Sequence, residues 1–278
     1  MINKEDIQNQ VIKTVETVRQ TNPMAGSITN TVTINFVANA QLAIGGSAAM
    51  VYLPDEGEFL AKAGAATYIN VGTLLPIYEQ TLPHIVKVLQ ETDKPWVLDP
   101  VAVGIGSLRT QLLREFKEYK PDVIRGNASE IIALAGLWGL EGGTDLSNVR
   151  GVDSTDLVIT AKTAAVALSM WTGGAVAVSG KTDLITDGHI IIFSHGGSHF
   201  MKKITGSGCS LGGVVAVYAT AASPFIAALT ATAAYNLAGS RAENKADGPG
   251  NFQVQFLDEL YKATALDIAN NPFEIEEV

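Results

Sequence analysis

The chain has 278 residues, 47% of them hydrophobic and 17% charged, and its formal net charge is −9. That apolar content supports a sizeable buried core and excludes a disordered chain, and an acidic sequence without a Lys/Arg cluster argues against a nucleic-acid partner. Its single cysteine, Cys209, permits neither an internal disulfide nor a multi-thiolate metal site, which fits a reducing, cytoplasmic setting.

In chain order, the first predicted element is a charged amphipathic helix in MINKEDIQNQVIKTVETVRQ, with Ile7, Val11, Val15 and Val18 at helical spacing; it lacks the unbroken apolar run of a signal peptide. A helical pattern follows in ANAQLAIGG (38–46), then a strand in ATYINVG (66–72) and a helix in YEQTLPHIVKVLQET (78–92). The alternation continues with a strand in PWVLDPVAV (95–103), a helix in TQLLREFKEY (110–119), a strand in DVIRGN (122–127) and a helix in ASEIIALAG (128–136). Residues 136–156 are rich in Gly and Asp and read as a surface loop. Beyond it come a helix in DLVITAKTAAVALSMW (156–171), a strand in GAVAVSG (174–180) and a hairpin in DLITDGHIIIFSH (183–195) that turns at its Asp-Gly pair.

From Ile204 to Ser240 no residue is charged, a length that would span a bilayer. The segment is rich in Gly, Ala, Ser and Thr, and Pro224 interrupts it, so it predicts a buried helical pair and no membrane partner. Strands alternating with helices imply an α/β fold with a mainly parallel sheet covered by helices. No internal repeat is present, and 1–278 reads as a single domain.

Four stretches carry candidate chemistry. Thr205-Gly206-Ser207-Gly208-Cys209-Ser210 precedes an apolar helical run. The first amides of a helix lack intrahelical partners and, with the helix dipole, make an anion site. Gly206, Ser207 and Gly208 are therefore candidates for an anion hole, and the positive helix end is expected to lower the Cys209 pKa. The alternative is a tight turn before a core helix with an inert thiol. The stretch is neither a Walker loop nor a dinucleotide fingerprint.

The second and third stretches end predicted strands with Asp99 (LDPVAVG) and with Arg125 and Asn127 (RGNASEI), after which Glu130 follows. Ligands of parallel sheets bind at the carboxyl ends of the strands, so Asp99 and Glu130 can face one Mg²⁺ through water and Arg125 can clamp a nucleotide phosphate. For Glu130 a capping box with Asn127 competes with that role, and for Asp99 a turn before proline does. Ser179, at the end of AVAVSG, is a candidate phosphate or nucleoside contact. The histidines carry no site: His195 and His199 flank two glycines and share no helical face, and His84 and His189 read as structural.

Taken together, ITN (28–30), AN (38–39), GGSAAM (45–50), NVGTL (70–74), DPVAVG (99–104), VIRGNASEI (123–131), VSGKTD (178–183), ITGSGCS (204–210) and GPGNF (248–252) resemble the hydroxyethylthiazole kinase family, over nearly the whole chain and in order. The resemblance implies a three-layer αβα ribokinase-like fold. It implies ATP- and Mg²⁺-dependent phosphorylation of the primary hydroxyl of 4-methyl-5-(2-hydroxyethyl)thiazole in thiamine salvage, by a homotrimer with active sites between subunits. By motif match, Met50 and Gly206 contact the thiazole, Arg125 and Ser179 contact ATP, Asp99 and Glu130 lie near Mg²⁺, and Cys209 takes the place of the superfamily's catalytic aspartate. The chain departs from the family pattern at Gly26, where a histidine is usual, and at Ala49, where a proline is usual. Both departures are expected near the acceptor pocket, so a pyrimidine-type alcohol is the alternative acceptor, and a nucleotide-binding homologue without turnover the alternative function. A thiol redox protein is disfavoured because no resolving cysteine exists.

Overall fold

A computed structural model describes residues 3–144 and 158–278. The first helix, α1 (Lys4–Thr21), starts at Asn3, whose side chain accepts the Glu5 N–H at 3.1 Å, and stops at Asn22 in the left-handed region, φ 45°. Its buried stripe is Ile7, Val11, Thr14, Val15 and Val18, the spacing seen in the sequence. Then β1 (Met24–Ile28), α2 (Ile34–Ala43), β2 (Ser47–Met50), α3 (Pro54–Ala63) and β3 (Ala66–Asn70) follow. The central units are α4 (Tyr78–Thr92), β4 (Trp96–Asp99), α5 (Ser107–Tyr119), β5 (Val123–Asn127) and α6 (Ala128–Leu137). Beyond residue 157 a 3₁₀ turn (Val158–Ala161) leads into α7 (Lys162–Thr172), β6 (Ala175–Ser179), β7 (Asp183–Thr186) and β8 (Ile190–Ser194). The chain closes with α8 (Ser207–Ala219), α9 (Pro224–Glu243), α10 (Pro249–Lys262), α11 (Ala265–Ala269) and β9 (Phe273–Glu277).

One sheet of nine strands runs through the molecule in the order β2-β1-β3-β4-β5-β6-β7-β8-β9. The pairs from β2 to β6 are parallel and those from β6 to β9 antiparallel. Parallel strands lie between two helical layers and bury both faces, and β3 and β4 are accordingly buried at every residue. The two cores lie on opposite faces: one joins α1, α2 and α8–α11 to the sheet, the other α3–α7.

The uncharged segment is the expected buried pair, α8 and α9, broken where Ser223 caps α9 and Pro224 opens it. Among the described residues no helix is long and apolar enough to cross a membrane. Other expectations shift. The strand predicted over 95–103 ends at Asp99, because Pro100 leads into a turn and Ala102 takes φ +60°. The loop predicted over 136–156 lies partly outside the described residues, as does the start of the helix predicted over 156–171. Strands β1, β2 and β9 and helices α3, α10 and α11 have no counterpart in the sequence reading.

Strand alternation decides which layer each side chain meets. Val97, Val123, Ala175 and Ala177 belong to the core under α8 and α9. Asp99, Arg125 and Ser179, at even offsets from them, face that same layer, as does Asn70 two residues after Tyr68. Register then lines them up: Asn70 pairs with Asp99, and Asn127 with Ser179, at the carboxyl edge of the parallel strands.

Candidate active site

Helix α8 is laid across this edge with an unusual start. Gly206 occupies the N-cap at φ +90° and supplies no side-chain cap. A Cβ there would be 3.0 Å from Thr33 Cβ and Cγ2, so only glycine turns the chain at this place. The first helical bond is Ser210 N–H to the Gly206 carbonyl at 2.8 Å, which leaves the amides of Ser207, Gly208 and Cys209 without helical partners. Ser207 Oγ donates to the Met201 carbonyl at 2.7 Å. Gly212, one turn on, has its missing Cβ 2.3 Å from Tyr68 Cε2, so the helix backbone rests directly on the tyrosine ring. A mid-helix glycine costs about 1 kcal/mol relative to alanine; here it brings the helix start down onto the strand ends.

Beneath Gly208 lies Arg125, whose Nη1 and Nη2 both stand 3.0 Å from the Cβ position of that glycine. The guanidinium donates to Asp99 Oδ2 at 3.2 Å and to Ser179 Oγ at 2.9 Å. Its Nε is buried without a partner, as is Asp99 Oδ1. Burial opposes the arginine's charge, but Asp99 and then Glu130 overcome it and hold its pKa above the ordinary value. Asp99 is fully buried. Burial raises its pKa, and Arg125, Tyr68 and Asn70 offset part of that rise. Three donors converge on one oxygen, Asp99 Oδ2: Arg125, Tyr68 OH at 2.9 Å and Asn70 Nδ2 at 3.0 Å.

Glu130 fills the reciprocal capping box of α6. Its N–H donates to Asn127 Oδ1 at 2.9 Å and its Oε2 accepts the Asn127 N–H at 2.9 Å. The competing capping reading is thus present in the structure. Glu130 Oε1 meets the Ala102 N–H at 3.4 Å. Burial, and then the nearby Asp99 charge, push the Glu130 carboxyl up to about 7, although Arg125 and the Asn127 and Ala102 amides pull the other way.

Cys209 sits in the first turn of α8, with Asn30 Nδ2 3.5 Å from its Sγ. The expectation of a lowered thiol pKa is overturned. Burial, then Asp99, push it up, and Arg125, Thr33 and Asn70 compensate only in part. Desolvation of the thiolate outweighs the helix end.

The structure therefore brings together Arg125, Asp99, Ser179 and the Gly206–Cys209 turn, with Glu130 close by. Met50 stands apart at the end of edge strand β2, in register with Ser27 and packed against the α8 side of the core. Gly26 and Ala49 are register partners on β1 and β2. The Cβ position of Gly26 lies 3.2 Å from Leu60 of α3, on the sheet face opposite Cys209. Within this chain the Gly26 position therefore faces α3 and not the layer that holds Cys209.

Among the described residues no three His, Cys, Asp or Glu side chains gather as a metal cluster. The donor set still fits a hard cation, because Asp99 Oδ1 is buried without a partner and the Glu130 carboxylate lies close enough to feel the Asp99 charge. The histidines are peripheral: His84 meets Glu58 at 2.7 Å, His199 meets Glu243 at 2.5 Å, and His195 meets Glu274 at 3.5 Å.

Sequence reading missed Asn30, Tyr68 and Asn70. Asn30 and Asn70 lie in ITN and NVGTL without an assigned role, and only the fold, which sets Asn70 and Tyr68 against Asp99 and Asn30 against Cys209, exposes them.

Comparisons with known proteins bear on the family and the fold. The hydroxyethylthiazole kinase family model matches residues 15–265. A hydroxyethylthiazole kinase of Bifidobacterium longum (strain DJO10A) is 50% identical over 97% of this chain and 92% of its own length. The solved hydroxyethylthiazole kinase protein of Pyrococcus horikoshii OT3 aligns with TM-score 0.85 and 28% identity over 97% of this chain and 99% of that one. A ribokinase-like superfamily protein of Enterococcus faecalis V583 shares the fold alone, with TM-score 0.62 and 14% identity over 94% of this chain and 95% of that one. An uncapped helix start above a buried Arg–Asp pair, carried on a ribokinase-like sheet and matched along nearly all its length, identifies the chain as a member of the hydroxyethylthiazole kinase family.

Proposed function

We propose that this chain is a single-domain cytoplasmic kinase. It transfers the terminal phosphoryl group of ATP to the primary hydroxyl of 4-methyl-5-(2-hydroxyethyl)thiazole, in thiamine salvage. The observation that carries the reading is the open first turn of α8 stacked on Arg125 and Asp99. Phosphoryl transfer needs positioning and charge neutralisation more than a strong base, and this turn supplies both. The amides of Ser207, Gly208 and Cys209 cradle the transferring group. Arg125 and Ser179 engage the phosphates of ATP. Asp99, through Oδ1, and Glu130 would hold Mg²⁺, which when bound neutralises phosphate charge.

Cys209 faces the acceptor hydroxyl. Its raised pKa supports a neutral thiol that orients the hydroxyl over a standing base, and a loose transition state tolerates late passage of the hydroxyl proton to an oxygen of the transferred phosphoryl group. Met50 and Gly206 contact the thiazole. The single continuous sheet supports one domain. A homotrimer is supported by the free edge of β2, with Leu53 at 47% and Phe59 at 66% exposure just after it.

The test is ADP formation with ATP, Mg²⁺ and a panel of heterocyclic alcohols. The reading expects turnover with the thiazole alcohol and little with pyrimidine alcohols; nucleotide binding without ADP would overturn it.

A further inference from the structure

Between the carboxylate and the thiol stands Asn70, the first residue of NVGTL, to which that motif assigns no role. Asn70 is 1% exposed, and its carboxamide is fully used. Nδ2 donates to Asp99 Oδ2 at 3.0 Å and to Tyr68 OH at 2.8 Å. Oδ1 accepts from the Gly72 amide at 2.9 Å and from Asn30 Nδ2 at 3.0 Å. Those four bonds exhaust two donors and two acceptor positions. Two neighbours fix the amide's orientation independently. The Gly72 N–H only donates, so the atom facing it is oxygen. The Tyr68 hydroxyl spends its proton on Asp99, so the atom facing it is nitrogen.

The fixed amide then fixes the next one. Asn30 gives Nδ2 to Asn70 Oδ1, and the same nitrogen stands 3.5 Å from Cys209 Sγ. The chain of contacts runs unbroken from Asp99 to Asn70, Asn30 and Cys209. Gly72 admits it: a Cβ there would stand 2.9 Å from both Asn30 Nδ2 and Asn70 Oδ1. On the other side, Asn70 and Tyr68 hold Asp99 by Oδ2, which leaves Oδ1 as the unpartnered oxygen.

We infer that Asn70 is a positioning residue that sets the Asp99 carboxylate and the Cys209 thiol relative to each other, acting on the thiol through Asn30. Its effect is geometric, because its carboxamide is spent on Asp99, Tyr68, Gly72 and Asn30. The inference rests on the proposed function for its kinetic consequence, but not for its effect on the thiol.

The experiment has a kinetic arm and a chemical arm. Asn70→Ala should lower kcat by roughly tenfold or more, the scale of one lost buried hydrogen bond at a reacting group. KM for ATP should change by less than about threefold, since the Asn70 carboxamide is already spent on protein partners. In a Cys209→Ala background the same substitution should cost clearly less, because the thiol it orients is gone. Equal losses in the two backgrounds would overturn the inference. In the chemical arm, the rate at which iodoacetamide alkylates Cys209 at fixed pH is read without ATP or acceptor. Asn70→Ala should slow it by about threefold or more, as Sγ loses its oriented donor. Asn30→Ala, on the loop after β1, should slow it equally, and carries this arm if Asn70→Ala does not fold. Wild-type alkylation rates in both variants, where folded, would refute the link whether or not the enzyme turns over. Absence of wild-type kinase activity would strike the proposed function alone.

Discussion

Helices α6 and α8 both begin at the carboxyl edge of the sheet, and their first turns are built in opposite ways. At α6 the chain closes on itself: Asn127 and Glu130 exchange hydrogen bonds with each other's backbone amides. At α8 the cap is Gly206, which has no side chain to offer, and the following positions are Ser207, Gly208 and Cys209. A sealed helix end stabilises the fold, and an open one keeps its amides for a ligand. The two starts differ in backbone as well as side chain: Asn127 is extended at φ −82°, whereas Gly206 is left-handed at φ +90°.

The largest effect that breaks this contrast comes from closing the open turn. Gly208→Val puts a branched side chain where Arg125 now lies 3.0 Å away, and it fills the amide seat. Activity should fall by more than about 10³-fold, since preorganised donors at developing charge are a dominant catalytic contribution, and steady-state ADP formation measures it. Full activity in that variant would move the phosphate site elsewhere.

Next in size is Cys209→Ala. The open turn remains, so turnover should persist at a level reduced by about 10–10² fold, less than the loss of a full general base. Cys209→Asp should also stay active, because a carboxylate at this position can accept or orient the hydroxyl proton; complete inactivity of that folded variant would exclude any proton-handling role.

The sealed turn offers a pH test. Glu130 has its carboxyl raised from 4.5 to about 7 by burial first and Asp99 second. The folded chain therefore retains a proton that the unfolded chain releases. The stabilisation is full below about pH 4.5 and is lost as pH rises through about 7. Glu130→Gln keeps the capping geometry and removes the charge. In the presence of a chelator it should flatten the melting temperature between mildly acidic and mildly alkaline pH, an effect on the order of 2 kcal/mol. Asp183, raised to about 6 mainly by burial, adds a residual slope of the same sign in both proteins. A variant with the wild-type pH profile would show that Glu130 does not titrate in this window.

The smallest effect sharpens the comparison from outside the site. Helix α11 carries its own capping box, Thr264 with Asp267. Thr264→Ala should cost about 1 kcal/mol of stability, read from thermal or urea unfolding, and leave kcat unchanged.

Much of this site was legible in the sequence because it is punctuated. RGNASE and TGSGCS combine glycines with the few polar residues in apolar surroundings, and both lie where predicted. Helix α4 begins and ends where its periodicity does, at Tyr78 and Thr92. Strands β1 and β9 were not legible. MAGSI centres on Ala, Gly and Ser, and FEIEE, though it alternates over four residues, carries three carboxylates on a sheet edge, so neither has a β-rich composition. Tyr68 and Asn70 escaped for another reason. In ATYIN they look like ordinary strand residues, and their meaning depends on which neighbour faces them across the sheet. The thiol's pKa was misjudged because the sequence displays the helix end and hides the burial.

The alternation that turns Tyr68, Asn70, Asp99, Arg125 and Ser179 toward one layer also governs how this enzyme family can change length. Deleting one codon within β4 ahead of Asp99 would swing that carboxylate through the sheet into the apolar layer of α4 and α5, with Leu98 exchanged for it. Lengthening therefore has to fall in the connections between strands, while the strands keep an evolutionary reading frame of their own, counted in pairs of residues.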